Sequence, residues 1–490
     1  MTNKTDRKQL TLRRLLNTSF NTIYRKLVMG QELNREESID ILSIAVVLVS
    51  QTSTELNRLG YRIVLLYGNL TGDFIPLYDI SINTGLMPVA KLIKTITSFN
   101  DSKLFHSSFI DEFTESYLDT FRENEITHTE QQLVLTNFFD ENSQNSIALV
   151  APTSYGKSEL IITSIKNNKH KKFCILVPSK SLLSQTKKRV LDAQIDWIEK
   201  IVSHPEMHDE DLTNAVYILT QERLSRLLSV DKSLSFDFLF VDEAHNLLSN
   251  DSRNELLASV INILKFRNSQ VAIKYLTPFL KDTSNLGLRH SNTIELEYLI
   301  KEYVKSERFY TADFRLGNGN TKFYDQYINE FIDNASESDS AITYILEKSA
   351  EKNIIYFNKP KDIEAFAMEL TEVLEPITDE DISIAVEELS VNLHQDYKLV
   401  ECLKKGVVYH HGSMTEMVRN YVEYLFRISP SLKYLISSST LLEGVNLPIE
   451  KLFVMNCKKG RSNLTGSQFK NWLGESIDLV KYFLLSIQVV

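Results

Sequence analysis

The chain has 490 residues, 43% hydrophobic and 24% charged, with a formal net charge of −10. That length houses about two or three domains with cores of their own, and the composition is ordinary for a soluble globular protein. The acidic balance excludes a surface coated in positive charge, so a nucleic-acid partner would need a local basic groove.

Cys174, Cys402 and Cys457 lie far apart, without metal-ligand spacing. Cys174 and Cys457 fall in apolar strand-like runs and read as core hydrophobes in a reducing compartment. The polar start, Met1 to Lys8, is not followed by a signal-peptide core. The longest early apolar stretch, Ile39 to Val49, is broken by Asp40 and Ser43 and is too short to span a bilayer. It reads as a buried helix, and the expectation is a cytoplasmic protein with no membrane partner.

Residues 1–120 place apolar side chains at helical spacing, first Leu15, Phe20, Ile23 and Leu27, then Ile41, Ile44, Val47 and Leu48. This predicts a helical accessory domain without a chemical motif of its own, available to a protein partner. From 121 the pattern changes to short β-rich runs alternating with helical segments. Candidate strands are Ile147–Val150, Phe173–Val177, Ala215–Leu219, Phe238–Val241 and Val271–Leu276. Such alternation predicts a parallel sheet with helices on both faces, in a domain over 121–298. After a polar, Asn- and Gly-rich stretch near 313–323, a second series follows within 299–490: Asn353–Phe357, Gly406–Tyr409, Tyr434–Ser437 and Lys451–Met455. The expected fold class is α/β, two tandem parallel-sheet domains with a cleft between them, preceded by the helical domain.

Two strand ends carry chemistry. Ile147–Val150 runs into Ala151-Pro152-Thr153-Ser154-Tyr155-Gly156-Lys157-Ser158, and Phe238–Val241 runs into Asp242-Glu243-Ala244-His245. Ligands of open α/β sheets bind at the carboxyl ends of strands. In a P-loop, successive backbone N–H groups and a helix N-terminus face phosphates. Thr153, Ser154 and Tyr155 form the loop and Gly156 permits the close turn. Lys157 is a point charge for the β and γ phosphates, and the Ser158 hydroxyl is a magnesium ligand. Asp242 can hold Mg2+ through its water shell, and Glu243 can orient and deprotonate an attacking water. The first P-loop position is Ala151 where the strict pattern has glycine. Taken alone the loop also fits a plain turn before a helix, and Asp242-Glu243 also fits a solvated helix start. Together, in this order, they point to nucleoside triphosphate binding.

The order and form of these motifs resemble superfamily 2 DExH/D-box helicases, more narrowly the Ski-like branch, over about 125–474. The resemblance implies RecA-like sheet domains, ATP and Mg2+ as ligands, and single-stranded or partly duplex DNA or RNA as partner. It implies that Gln132, third in a helix capped by Thr129, reads adenine; Gln131 is the neighbouring alternative, and a plain capping box is the bland one. Pro178, Ser179, Lys180 and Gln185 resemble a first strand-contacting motif, and Thr220 and Arg223 a second. Both would hold backbone phosphates without reading base identity. Gly406 to Gly412, with His410 and His411, closely resembles the Ski-like histidine signature, and Arg419, Glu423 and Phe426 follow at family spacing. The histidine pair lacks further metal ligands nearby, so a metal is rejected there. The run Ser439 to Pro448 resembles the segment linking strand track to nucleotide cleft, with Thr440 on backbone and Glu443 and Gly444 by the cleft. His245 would connect the site to the second domain.

The chain departs from the family in two places. The coupling motif after the acidic tetrad is reduced to Leu276-Thr277-Pro278, with Thr277 in part of the role. Beyond Asn471 the family's Gly-Arg-x-x-Arg is replaced by Trp472-Leu473-Gly474-Glu475, and no arginine follows Arg461. An arginine finger is worth about 10³ to 10⁵ in rate. The expectation is a truncated or frame-altered version of a longer helicase. Three readings follow: an ATP-dependent helicase or translocase, a hydrolysis-deficient nucleotide-gated binding module, and a P-loop ATPase without nucleic acid. A P-loop reading Pro-Thr-Ser-aromatic-Gly-Lys-Ser resembles that of bacterial helicases and implies genome maintenance or antiviral defence. The cluster Lys166, Lys169, Lys171 and Lys172 reads as a solvated loop.

Overall fold

The computed structural model describes residues 10–100, 109–123, 126–152, 155–248, 252–278, 280, 283–286, 294–300, 306, 308–314, 320–333, 338–394, 397–439, 441 and 447–464. Its chain divides into two compact units: residues 1–133 with 301–348 and 478–490, and residues 134–300 with 349–477. The architecture is α/β, with N-terminal helices followed by parallel sheets of seven and four strands, consistent with tandem RecA-like domains.

In the first unit the helices Phe20–Val28, Arg35–Val49, Thr54–Thr71, Ile75–Asn83 and Met87–Asn100 share one core, in which Phe20, Ile23, Leu27, Ile41 and Leu48 are buried. Asn34 starts its helix with a capping box: its side chain accepts from Glu37 N at 2.8 Å, and its own N–H donates to Glu37 Oε2 at 3.0 Å. Gly60 lets two helices cross closely, since a Cβ there would lie 2.7 Å from Val49 Cγ2 and 2.8 Å from the Ala45 carbonyl oxygen. The Ile39–Val49 stretch is a one-sided helix and not a buried one: Ile41, Ala45 and Leu48 face the core, whereas Ile39, Val46 and Val47 are exposed. An apolar run longer than one helical face must put some of its residues outside.

The polar stretch near 313–323 belongs to an antiparallel sheet of Phe309–Asp313, Asn320–Asp325 and Glu330–Asp333. The turn after its middle strand contributes Tyr327 and Ile328 to the helical core. Asp325 is fully buried there: Oδ2 accepts from Arg62 Nη2 and Tyr24 OH, both at 3.0 Å, and Oδ1 accepts from the Tyr327 and Ile328 N–H groups. The Arg62 guanidinium also lies 5.4 Å from the Tyr327 ring centroid and 5.9 Å from that of Phe323.

In the second unit the seven-stranded sheet runs 200–202, 215–219, 173–176, 238–241, 272–277, 147–150 and 296–299, every pair parallel. Alternate residues serve two cores. Phe173, Ile175, Phe238 and Phe240 pack on one face with helices Lys157–Asn167 and Lys180–Asp192; Cys174, Leu176, Leu239 and Val241 pack on the other with Gln221–Val230 and Ser252–Arg267. Burial on both faces is why these strands read as uninterrupted apolar runs. The four-stranded sheet runs 407–410, 434–437, 353–356 and 451–454, again all parallel. Each sheet has a buried lysine, in or beside a strand, that answers carbonyls at a helix C-terminus: Lys274 Nζ donates to those of Asn142 and Asn145, just after helix Glu130–Glu141, and Lys352 Nζ to those of Phe426, Ser429 and Leu432, at and after the end of helix Glu416–Ile428. Cys457 corrects an expectation, because it lies beyond the edge strand Lys451–Val454 and is exposed, while Cys174 and Cys402 are buried. Among the described residues, no helix is long and apolar enough to cross a membrane.

Candidate nucleotide and strand site

The phosphate-loop strand and the acidic strand stand on either side of strand 272–277, with Val150 paired to Thr277 and Val241 to Tyr275. Their carboxyl ends are thus two strand spacings apart, about 10 Å. Gly156 takes φ +86 as the N-cap of helix Lys157–Asn167, a left-handed backbone that strains any side chain although a Cβ would meet nothing within 4 Å. Lys157 Nζ donates to the Ala151 carbonyl at 2.9 Å, folding back over the loop. Tyr155 is buried and Ser158 is half-buried. Thr153 and Ser154 lie outside the described residues.

Asp242 leaves its strand with its N–H on the Leu176 carbonyl, and its Oδ1 accepts from Glu243 N at 3.0 Å. Glu243 is buried and takes φ +52, a left-handed conformation that costs a non-glycine residue about 1–3 kcal/mol. Its Oε2 lies 3.2 Å from His245 Nδ1, and the same nitrogen is 3.5 Å from Thr277 Oγ1. Thr277 in turn accepts from Ala151 N through its carbonyl at 3.0 Å. One buried threonine therefore touches both the phosphate loop and the acidic tetrad.

The electrostatics are frustrated. Burial, then the adjacent Glu243 carboxylate, push the Asp242 carboxyl above its ordinary range, against the pull of Lys157. Burial, then Lys157, push His245 down to about 4, so its imidazole is neutral at pH 7. A desolvated carboxyl with carboxylate company is the environment a divalent cation relieves, and the left-handed Gly156 before a helix start suits a phosphate chain. Asp242 and Ser158 are the residues that fit Mg2+, and Lys157 the residue that fits phosphate. Sequence reasoning missed Arg189, which lies on helix Lys180–Asp192 within electrostatic reach of Asp242, Glu159 and Arg427. No local pattern marks it.

The segment 178–185, the first expected to contact a strand, opens its helix with Ser179 Oγ accepting from Leu182 N at 3.2 Å. In the second, Thr220 caps helix Gln221–Val230, and Arg223 Nη1 donates to the Ser203 carbonyl at 2.6 Å. Lys180 is exposed at the first turn of its helix and Gln185 is half-buried one turn on; Pro178 is half-buried. His411 is buried, its ring stacked on Tyr409 at 5.7 Å and its Nε2 3.3 Å from Glu364 Oε1. His410, also buried, pairs with Glu423 at 3.0 Å, so the two rings turn to separate carboxylates. In the first unit, Gln132 and Thr129 form a reciprocal capping box: Thr129 N donates to Gln132 Oε1 at 2.8 Å, and Gln132 N to Thr129 Oγ1 at 3.2 Å. Thr440, Glu443 and Gly444, and the segment 465–490 with Glu475, lie outside the described residues.

Residues 117–277 match a family model described as type III restriction enzyme, res subunit. The chain is similar to the ATP-dependent DNA helicase Hel308 of Thermoplasma volcanium, with 24% identity over 381 residues, covering 74% of this chain and 52% of that protein. It is similar to the anti-bacteriophage protein B of Escherichia coli K12, with 24% identity over 395 residues, 78% of this chain and 48% of the relative. It is also similar to the human exosome RNA helicase MTR4, with 29% identity over 151 residues, 28% of this chain and 14% of the relative. The chain spans about half the length of the Hel308 and anti-bacteriophage relatives. Two of these three relatives are named as helicases, one of DNA and one of RNA.

Proposed function

We propose that the chain is the ATP-binding motor of a nucleic-acid helicase or translocase, hydrolysing ATP in response to a single strand. The observation that carries this reading is the convergence of Lys157, Asp242, Glu243, His245 and Thr277 around the ends of adjacent parallel strands. Lys157 would leave the Ala151 carbonyl for the β and γ phosphates. Asp242 and Ser158 would hold Mg2+, which when bound supplies charge neutralisation at the phosphates. Glu243 would orient and take a proton from the attacking water. His245, kept neutral, and Thr277 would pass the state of the site from the acidic tetrad to the phosphate loop. Lys180 and the starts of helices Lys180–Asp192 and Gln221–Val230 would contact the strand through its backbone, in a sequence-independent way.

The test is ATP hydrolysis with and without single-stranded DNA and RNA. Strand-stimulated turnover is the expected result. ATP binding with no turnover under any condition would replace this reading with a nucleotide-gated binding module. Similarity to the anti-bacteriophage protein favours antiviral defence as the setting. Plating phage on cells with and without the gene tests that separately: unchanged plaque counts would reject it.

A further inference from the structure

We infer that Arg253 is a positioning residue that braces the two strand-contacting loops against each other. The inference rests on the proposed reading of those loops as the nucleic-acid track. Arg253 opens helix Ser252–Arg267, outside both segments, and nothing in its local sequence ties it to either. Its guanidinium reaches both. Nη2 donates to the Pro178 carbonyl at 2.9 Å, at the entry to the first segment. Nε donates to Glu222 Oε1 at 2.7 Å, in the first turn of the helix that the second segment starts.

The two loops follow strands 173–176 and 215–219, which are neighbours in the sheet. Strand pairing fixes where they leave the sheet, but not how the helix starts beyond it are spaced. Ser179 and Thr220 each serve their own helix as N-cap, so neither ties one loop to the other. Arg253 supplies that tie from a third element, 75 residues from Pro178 and 31 from Glu222 in sequence. A guanidinium suits the task because its donors point in fixed, divergent directions, whereas an ammonium is a single point. Burial works to raise the Glu222 carboxyl, but hydrogen bonds from Arg253, its own backbone and Thr220 hold it below its ordinary range. Lys459, on the hairpin of Lys458–Lys459 and Ser462–Asn463, lies within electrostatic reach of the same guanidinium.

The pair is half exposed, with side chains 51% and 45% accessible, so breaking it affects global stability little. Phosphate contacts set the register of a strand on its protein, so the spacing of the groups that make them is less forgiving.

The experiment is anisotropy titration of a labelled single strand with the full chain, comparing wild type, Arg253→Gln, Arg253→Lys, Glu222→Gln and the double variant Arg253→Gln/Glu222→Gln across a salt series. A brace predicts about tenfold weaker strand binding in Arg253→Gln, with no rescue by lysine and a salt slope within experimental error of wild type. The double variant should be no weaker than Arg253→Gln alone, and melting temperatures should stay within about 2 °C. Rescue by lysine, with the slope of Arg253→Gln lower by about one, would make Arg253 a direct phosphate contact and overturn the brace. Wild-type affinity in Arg253→Gln would also overturn it. If the wild type binds no strand, the nucleic-acid reading itself fails, and the brace with it.

Discussion

Two of the places where the chain buries carboxylates differ in how completely that charge is answered. Around Asp325 the balance is closed: Arg62, Tyr24 and two backbone N–H groups satisfy both carboxylate oxygens, and two aromatic rings flank the guanidinium. At the end of the seven-stranded sheet it is open. Asp242 and Glu243 sit side by side, His245 is held neutral, Lys157 rests on a backbone carbonyl, and Glu243 keeps a left-handed backbone. The first arrangement is what a structural cluster requires. The second leaves electrostatic stabilisation for a ligand to supply, which is the condition expected of a binding site. Closed and open clusters should therefore respond to substitution in opposite ways.

The largest effect is expected at the closed cluster. Asp325→Ala strands the buried Arg62 and should destabilise the protein by about 3–5 kcal/mol, read as a lower denaturation midpoint. A paired replacement, Arg62→Met with Asp325→Leu, should recover part of that loss, since it removes the stranded charge but leaves Tyr24 and two backbone N–H groups without their acceptor. If the double variant is no better than the single, the stranded Arg62 charge is not the source of the loss.

At the open cluster, Lys157→Ala should leave the denaturation midpoint nearly unchanged, because the hydrogen bond from its Nζ to the Ala151 carbonyl is a local loop contact of a half-buried side chain. ATP affinity, measured calorimetrically, should fall about 10- to 100-fold, the worth of a charge-assisted contact. A large stability loss without an affinity loss would reverse the comparison.

The pH dependence of Mg2+ binding comes next. Asp242, pushed up in the metal-free protein, must lose a proton before it can ligate, so affinity should rise with pH by up to about tenfold per unit below its raised pKa. Protonation of His245 as pH falls toward 4 acts in the same direction. Global stability is a poorer reporter, because the two groups oppose each other there. The raised Asp242 binds protons more readily folded than unfolded, so its contribution is favourable at low pH and lost as pH rises through its folded pKa. The depressed His245 contributes stability above its unfolded pKa near 6.5 and loses it as pH falls toward 4. An Mg2+ affinity flat from pH 5 to 8 would remove Asp242 from the metal site.

The smallest effect is Thr277→Val, which keeps the shape and deletes one hydroxyl contact worth about 1 kcal/mol. Turnover should drop about fivefold with ATP affinity unchanged. A wild-type rate would take Thr277 out of the path between loop and tetrad.

Both ends of this comparison were unevenly legible in the sequence. Strands buried on two faces, such as Phe238–Val241, read directly as apolar runs, and the motifs at their ends placed Lys157 and Asp242 at strand termini. Strands Lys200–Val202 and Leu296–Leu299 escaped notice because they are short or carry polar residues at a sheet edge. The antiparallel sheet of 309–333 was hidden because polar residues such as Asn320, Lys322 and Glu330 are interspersed with its aromatic ones. Asp325, Arg189 and Arg253 were invisible for a different reason. Each acts through a partner tens to hundreds of residues away, and no local spacing encodes such a meeting. Cys457 shows the converse error, an apolar run that ends outside the core.

The most direct test of the open cluster as the working site is Glu243→Gln, assayed for ATP binding and for strand-stimulated hydrolysis. The account predicts ATP affinity within about threefold of wild type and turnover reduced by about 10² to 10⁴, the worth of a positioned general base. Undiminished turnover would contradict it, and the left-handed, buried Glu243 would then be a structural feature rather than the residue that acts on water.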